Sequence, residues 1–474
     1  MTILVGTALK RTTFCLIVFI VFYMWYLMKV KLSTNSSPAP KHVKVPISLD
    51  YGTPPLSAAN IVSLLCPAPK QFNFTMKKPK KTDKGITSSG FPQDTDTILP
   101  PNCSLLFKGD SDEIKRVNNA RIEKIWPIPS DNEFYRYASN CDWIKKELDP
   151  GYYVSEQERQ FPLAFALNVY QSPYQIFRFL KVIYRPHNLY CIHYDKKSIE
   201  PFQKLMVTIA DCLPNVIVPN KIEDVIWGWH TIVDAQMNCI EDLYKMRHTF
   251  PWKYTITLCG KEVPLRTNRE MIHTLSKLNG TSAVKLSTTN NDQKLWTYKH
   301  ILNGKRVKQL NSKLGPIPFN LTIAKSMAYY GLSESFVNYL LHDKEAVKFR
   351  RFMEDTKIPD EHFVATLFNR TGVPGGKDYE YSRFTPTVSS YIWLRLKDRN
   401  FNQKHCPSGW MVHIICIVSS GDLHRLDYMY DPKKDHQTFF HNKFFMEKDR
   451  VVMDCAEEEL LKRNREDCLR DNPH

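Results

Sequence analysis

The residues of this chain best suited to moving a proton lie in the run Ile358-Pro359-Asp360-Glu361-His362-Phe363. Pro359, two acids and then the apolar Phe363, Val364, Leu367 and Phe368 read as the start of a helix. A carboxylate held there, Glu361 above all, is a candidate general base for deprotonating a hydroxyl. The plainer reading is that acids in a first turn complement the helix dipole. A second candidate, Asp195, ends the apolar run Leu189–Tyr194 and reads either as a ligand contact or as a strand-end turn former. Asp94-Thr95-Asp96 and Asp110-Ser111-Asp112 have an acid-x-acid spacing that could hold a divalent cation. Both precede the first predicted strand, where a nucleotide–metal site could not be built. His187, His193 and His230 show no ligand spacing and read as hydrogen-bonding core or surface residues.

The elements that must position these groups follow from periodicity. Leu163–Val169, Leu189–Tyr194, Val216–Val218 and Tyr254–Leu258 are apolar runs of strand length. Between them, Tyr174–Tyr184, Phe202–Ala210 and Ile232–Met246 carry helical spacing. Strands alternating with helices predict an α/β fold with a largely parallel, doubly wound sheet. Ligands of such sheets collect beyond the carboxyl ends of the strands, where Asp195 and Glu262 fall. With 17 glycines in 474 residues there is no Gly-rich phosphate loop and no dinucleotide fingerprint.

Composition bounds the partners and the compartment. The 65 basic and 49 acidic residues leave a net charge of +16. No nucleic-acid motif accompanies that charge, so most of it reads as a solvated surface, with a few cations free for a phosphate-bearing ligand. Thr12 to Met28 is an uncharged run of 17 residues between Lys10-Arg11 and Lys29. As a helix it spans about 26 Å and predicts a membrane anchor, with residues 1–11 cytoplasmic and the rest lumenal. Residues 29–101, rich in Pro, Ser, Thr and Lys, read as a stem, and residues 102–474 as the lumenal domain. Eleven cysteines outside the anchor run contain no CxxC pair, which favours disulfides over zinc and leaves at least one thiol free. Six Asn-x-Ser/Thr sequons agree with a secretory compartment.

Six stretches then fall into one order: 188–198 (NLYCIHYDKKS), 234–239 (DAQMNC), 258–268 (LCGKEVPLRTN), 359–361 (PDE), 421–423 (GDL) and 442–444 (NKF). Together they resemble the core 2/I-branching β-1,6-N-acetylglucosaminyltransferases, over roughly residues 102–463. The resemblance implies a GT-A-like glycosyltransferase domain in a Golgi membrane protein of type II orientation. It also implies an inverting transfer from UDP-GlcNAc to the 6-hydroxyl of Gal or GalNAc in a glycan acceptor, with no metal or other cofactor. Glu361 matches the catalytic base; Asn168, Val169, Tyr170, Asp195, Lys196, Lys197 and Trp227 lie where the family holds the nucleotide, and Lys443 matches a cation on the diphosphate. Tyr391 and Trp393 match an aromatic pair on the acceptor, and Lys294 stands for that segment's cations in 284–296 (VKLSTTNNDQKLW). The implied disulfides are Cys103–Cys455, Cys141–Cys212, Cys191–Cys239 and Cys406–Cys416, with Cys259 free and Cys66 and Cys468 extra.

Two departures stand out. The family's second diphosphate cation is an arginine, and His413 occupies that position here. Histidine carries charge in a mildly acidic lumen but lacks arginine's bidentate fork. The acceptor segment has lost most of its charged residues. Two other readings therefore stay open: a weakly active or inactive member that binds a sugar or a partner, and a transferase with another donor such as xylose. A homodimer is also left open.

Overall fold

Alternate residues of β1 (Leu163–Val169) belong to two different cores. Leu163, Phe165, Leu167 and Val169 join one apolar cluster, and Ala164 and Ala166 join the other. Successive side chains of a strand point to opposite faces, so both faces of this strand are covered. The helices Pro173–Ile183 and Glu200–Cys212 supply the first cover, with Phe177, Leu180, Phe202 and Ile209 in its cluster. Thr231–Lys245 and Glu334–His342 supply the second through Met237, Ile240, Phe336 and Leu340. This is the doubly wound arrangement that the sequence predicts.

The computed structural model describes residues 66, 99–149, 151–287, 292–378, 386–391, 406–412, 415–430 and 438–473. Strands are numbered along the chain within these residues. β3 (Val216–Ile217), β2 (Leu189–Tyr194), β1 and β4 (Tyr254–Leu258) run parallel in that order, and β8 (Gly331–Ser333) closes the five-stranded sheet as an antiparallel edge. The boundaries of β1, β2 and β4 are those read from the sequence, and β3 is one residue shorter. The chain moves outward from β1 to β2 and β3, then returns to β4 on the other side of β1. The strand order therefore reverses between β1 and β4, and a crevice opens beyond their carboxyl ends.

Four features were not anticipated. β5 (Glu262–Pro264), β12 (Thr438–Asn442) and β9 (Thr387–Ser390) make a second, mixed sheet, with β12 in the middle. β6 (Tyr298–Asn303) and β7 (Arg306–Lys313) form a hairpin, and β10 (Met411–Val412) pairs with β11 (Ile415–Cys416). The expected helix start at Pro359 is instead a single 3-10 turn, Pro359–Glu361, and the α-helix begins afresh at Phe363. One residue earlier, Ile358 has φ 55°. A β-branched residue rarely takes the left-handed region, and the turn is cut off from the helix at His362, whose φ of -121° lies outside the α-helical range.

Covalent and ionic ties hold the ends of the body together. Cys103–Cys455, Cys141–Cys212, Cys191–Cys239 and Cys406–Cys416 are bonded as the resemblance implies, and Cys66 is bonded to Cys468. Cys259 is a free thiol. The C-terminal helix Val451–Asp471 docks on Pro173–Ile183 through a buried cluster. Glu457 takes Arg178 at 2.5 Å and Lys181 at 3.1 Å, and Asp454 takes Arg178 at 3.0 Å. The anchor run 12–28 and nearly all of the stem lie outside the described residues; among the described residues no helix is long and apolar enough to cross a membrane.

Candidate active site

The carboxyl ends of β1 and β4 present Asn168, Val169 and Tyr170 on one side and Cys259, Gly260 and Lys261 on the other. Gly260 has φ +70°, and a Cβ there would stand 2.3 Å from Ile176 Cδ1 and 3.2 Å from Val169 Cγ1. Only glycine lets the two strand ends approach this closely. Gln175, buried in the covering helix, ties the crevice to the second sheet. Its Nε2 donates to the Gly260 carbonyl at 2.7 Å and the Phe444 carbonyl at 3.2 Å, while its Oε1 accepts from the Met446 N–H at 2.8 Å. The Phe444 N–H in turn donates to the Lys261 carbonyl at 2.8 Å. Lys443, at the end of β12, is thereby placed beside the end of β4.

Asp195 and Lys197 sit at the end of β2. The Lys197 ammonium contacts both Asp195 oxygens at 3.0 Å, Asp224 at 2.5 Å and the Val225 carbonyl at 2.6 Å. Asp195 also accepts the Lys197 N–H at 2.9 Å. Lys197 is thus a brace that fixes Asp195, its charge already matched by two carboxylates. Lys196 points outward and is exposed. The Ser198 hydroxyl donates to the Tyr170 carbonyl at 2.8 Å, joining this loop to the end of β1.

Below the crevice floor lies a compact polar cluster. The Cys259 thiol donates to Glu262 Oε1 at 3.2 Å, the Tyr329 hydroxyl donates to the Cys259 sulfur at 3.1 Å, and Asn442 Nδ2 donates to Glu262 at 3.2 Å. Burial first, and then the charge of Glu262, pushes the thiol up to about 12. Near neutral pH it is a hydrogen-bonding group, not a nucleophile. Glu262, singled out by its place past a strand end, is fully buried and spends its oxygens on Cys259 and Asn442. It supports the floor and does not face a ligand.

Glu361 is held by its backbone and by one cation. Its carbonyl accepts the Ser326 N–H at 2.9 Å, and its Oε2 stands 3.0 Å from Lys325 Nζ. The strained Ile358 is pinned on both sides: its N–H donates to the Gly228 carbonyl at 2.9 Å, and its carbonyl bonds His362 Nδ1 at 2.9 Å. Backbone strain of this kind persists where the surroundings over-determine it. Trp227, 65 % exposed, precedes that same Gly228 and so stands at the carboxylate's shoulder. Lys294 is exposed on the short helix Lys294–Thr297, which the Lys357 N–H joins at the Leu295 carbonyl (2.9 Å). Tyr391 links the two halves of the site. Burial foremost, then the charges of Cys259, Glu262 and Glu361, holds its hydroxyl far above the ordinary tyrosine value.

The structure thus gathers Asn168, Val169, Tyr170, Asp195 and Lys443 around one crevice and sets Trp227, Glu361, Lys294 and Tyr391 around its rim. His413 and Trp393 lie outside the described residues. Asp110 is not a ligand pair with Asp112: it caps the helix Ser111–Ile122, accepting the Asp112 and Glu113 N–H groups. His193 is buried and accepts the Glu223 N–H at 2.8 Å, while His230 bonds Asp234 at 2.6 Å, both as structural partners. A separate cleft of about 540 Å³ near the C-terminal helix is lined by Arg269, Glu270, Arg463 and Asp467, whose charges largely pair with one another or with their neighbours. Sequence reasoning missed Lys325 and Lys261 as site residues and gave Asp360 no role beyond its place in the acidic pair. Of the two lysines only Lys261 carried a signal, its place three residues past a predicted strand.

Residues 163–427 match the family model for the core-2/I-branching enzyme. The chain belongs to the core-2/I-branching enzyme family. This family of glycosyltransferases includes a zebrafish (Danio rerio) β-1,3-galactosyl-O-glycosyl-glycoprotein β-1,6-N-acetylglucosaminyltransferase 4, 31% identical over 402 residues, or 81% of this chain and 89% of the relative. The mouse enzyme of the same name and number is 30% identical over 423 residues, covering 86% and 89%. A human enzyme numbered 3 is 29% identical over 351 residues, covering 70% and 80%. At this distance the chain is a divergent core-2/I-branching enzyme. The segment of the family match contains β1 through Glu361, so the ends of β1, β2 and β4 and the carboxylate lie within it, whereas Lys443 lies beyond it.

Proposed function

We propose that the protein transfers N-acetylglucosamine from UDP-GlcNAc to the 6-hydroxyl of a galactose or N-acetylgalactosamine in an O-glycan or related glycan. The observation that carries this reading is the Glu361 carboxylate, one-third exposed on a strained turn, set across Tyr391 from the switch-point crevice. In this scheme UDP-GlcNAc lies in the crevice, its nucleotide along Asn168–Tyr170 and Asp195 and its diphosphate toward Lys443. An acceptor sugar stacks at Tyr391, with Trp227 and Lys294 at the rim.

Glu361 accepts the proton of the 6-hydroxyl as the oxygen attacks C1 from the face opposite the leaving group. The new C1–O bond forms while the C1–O bond to the diphosphate breaks. UDP leaves with the electron pair, and the anomeric configuration inverts. Charge grows on the diphosphate, and preorganised protein cations stabilise it. We propose that these fixed cations suffice without a metal, and that the protein acts in the Golgi lumen, held by the 12–28 run in a type II orientation. The relatives' names, which specify β-1,6-N-acetylglucosaminyl transfer, support the donor and linkage.

The test is UDP release from UDP-GlcNAc by the full-length protein with core 1, core 3 and poly-lactosamine acceptors, each with and without EDTA. Turnover that depends on an acceptor and survives EDTA is the expected result. Turnover with UDP-xylose alone would reassign the donor, and loss of turnover in EDTA would overturn metal independence.

A further inference from the structure

Lys261 is a lysine in an unusual situation. Its side chain is 2% exposed, and its Nζ is buried without a hydrogen-bond partner. Among the described residues it makes no ion pair. Two ring faces stand near it, Phe445 with its centroid at 4.6 Å and Tyr170 at 5.5 Å. Such faces offset only part of the cost of taking an ammonium out of water. A second orphan stands close by in the fold: Asn168 Oδ1, at the end of the neighbouring strand β1, is also buried without a partner. Two unpaired polar groups at the reversal point of a doubly wound sheet are what an empty ligand site leaves behind.

We propose that Lys261 is a second fixed cation of the donor crevice, facing with Lys443 the diphosphate of the bound nucleotide sugar. The proposal rests on the donor reading above and extends it to a residue that the sequence comparison did not select. The geometry supports the pairing. Lys261 and Lys443 sit on adjacent segments joined by the Phe444 N–H to Lys261 carbonyl bond and clamped by Gln175. Tyr170, whose ring the ammonium approaches, is 47% exposed and forms the crevice wall. Burial first lowers the lysine's proton affinity, and Lys443 adds to that effect; Glu447, Cys259 and Glu262 oppose it. Two like charges held near each other, with Lys261 making no hydrogen bond or ion pair among the described residues, are poorly placed in the empty protein and well placed around a dianion. Lys261 also answers the departure at position 413, where a histidine replaces the family's arginine: the missing charge enters from β4.

The experiment measures UDP and uridine affinity by calorimetry for the full-length wild type, Lys261→Met and Lys261→Arg, alongside thermal unfolding. Methionine keeps length and packs between the two rings. The expected result is that Lys261→Met binds UDP at least tenfold more weakly, binds uridine unchanged, and melts at the same or a higher temperature without ligand. Lys261→Arg should keep most of the preference for UDP over uridine. An unchanged UDP-to-uridine ratio in folded Lys261→Met would overturn the proposal while leaving the donor reading intact. A Lys261→Met protein that fails to fold while Lys261→Arg folds and loses the UDP preference would overturn it too, since the charge would then serve the fold. If the wild type itself binds UDP no better than uridine, it is the donor reading that falls.

Discussion

The Lys325 ammonium stands 3.0 Å from Glu361 Oε2, with both side chains about one-third exposed. At that exposure the pair adds less than about 1 kcal/mol to stability. Its consequence is geometric: the ammonium holds one oxygen of the carboxylate in a fixed place. Glu361→Gln should lower acceptor transfer by roughly 10²- to 10⁴-fold while sparing UDP binding. Transfer near the wild-type rate in that variant would remove Glu361 from the base role.

Lys325→Met should reduce kcat by roughly tenfold or more, because the base loses the contact that aims it. UDP affinity and melting temperature should hardly change, and Lys325→Arg should restore most of the rate. A weakened UDP affinity in place of the kcat effect would put Lys325 on the donor side.

Asp360 gives a prediction with a sign. Its Oδ1 is buried without a partner, and burial first, with Glu361 second, pushes its pKa up to about 7. In the unfolded chain the group titrates near its ordinary value of about 3.9. Between those values the folded protein holds a proton that the unfolded chain has lost. This group's contribution to stability is therefore complete below about pH 4 and is lost as pH rises toward 7, by up to about 1.4 kcal/mol per pH unit. Asp360→Asn should flatten that slope, so that the variant gains on the wild type from pH 5 to pH 7. Melting temperatures of the two proteins across that range test it; a constant difference would show that Asp360 does not titrate there.

Gly260→Ala should cost about 2 kcal/mol or more, since the added Cβ meets Ile176 and the φ is positive. Because the collision pushes Lys261 off Tyr170, UDP binding should weaken in the same variant. Denaturant unfolding together with calorimetry would show both effects; a loss of stability with unchanged UDP affinity would detach the strand ends from the ligand site.

Glu457→Gln should destabilise by roughly 3 kcal/mol, because it removes the carboxylate charge that Lys181 meets and one of the two that Arg178 meets, all in a buried setting. A urea midpoint unchanged from wild type would mean that Asp454 alone satisfies both.

The parallel core was legible because its strands are buried on both faces. Leu163–Val169 and Tyr254–Leu258 are largely apolar runs, interrupted only by Asn168, Thr255 and Thr257, and the structure ends them at the same residues. The second sheet was not legible. β5 is three residues long, and β12 reads Thr438-Phe-Phe-His-Asn442, too short and too polar to declare itself. Its partners come from residues far apart in the chain, and periodicity carries no information about such pairing. At the site, Glu361 was found as a residue but misplaced as an element, because nothing in a sequence reveals that the backbone leaves the helical region at His362. Lys325 reaches Glu361 only through the tertiary fold. The disulfide partners of eight cysteines followed from the family register, whereas Cys66 and Cys468 had no counterpart to align with.

That last pair changes what it would take to release the protein from the proposed 12–28 anchor. Cys66 is bonded to Cys468, so the backbone between them closes into a covalent ring. A protease that cuts once between residues 67 and 98 opens the ring without separating anything, and residues 1–66 stay attached to the body through sulfur. Shedding then requires a cut ahead of Cys66, or a cut followed by a reductant. A nicked protein would run as one band on a non-reducing gel and as two once the disulfide is opened.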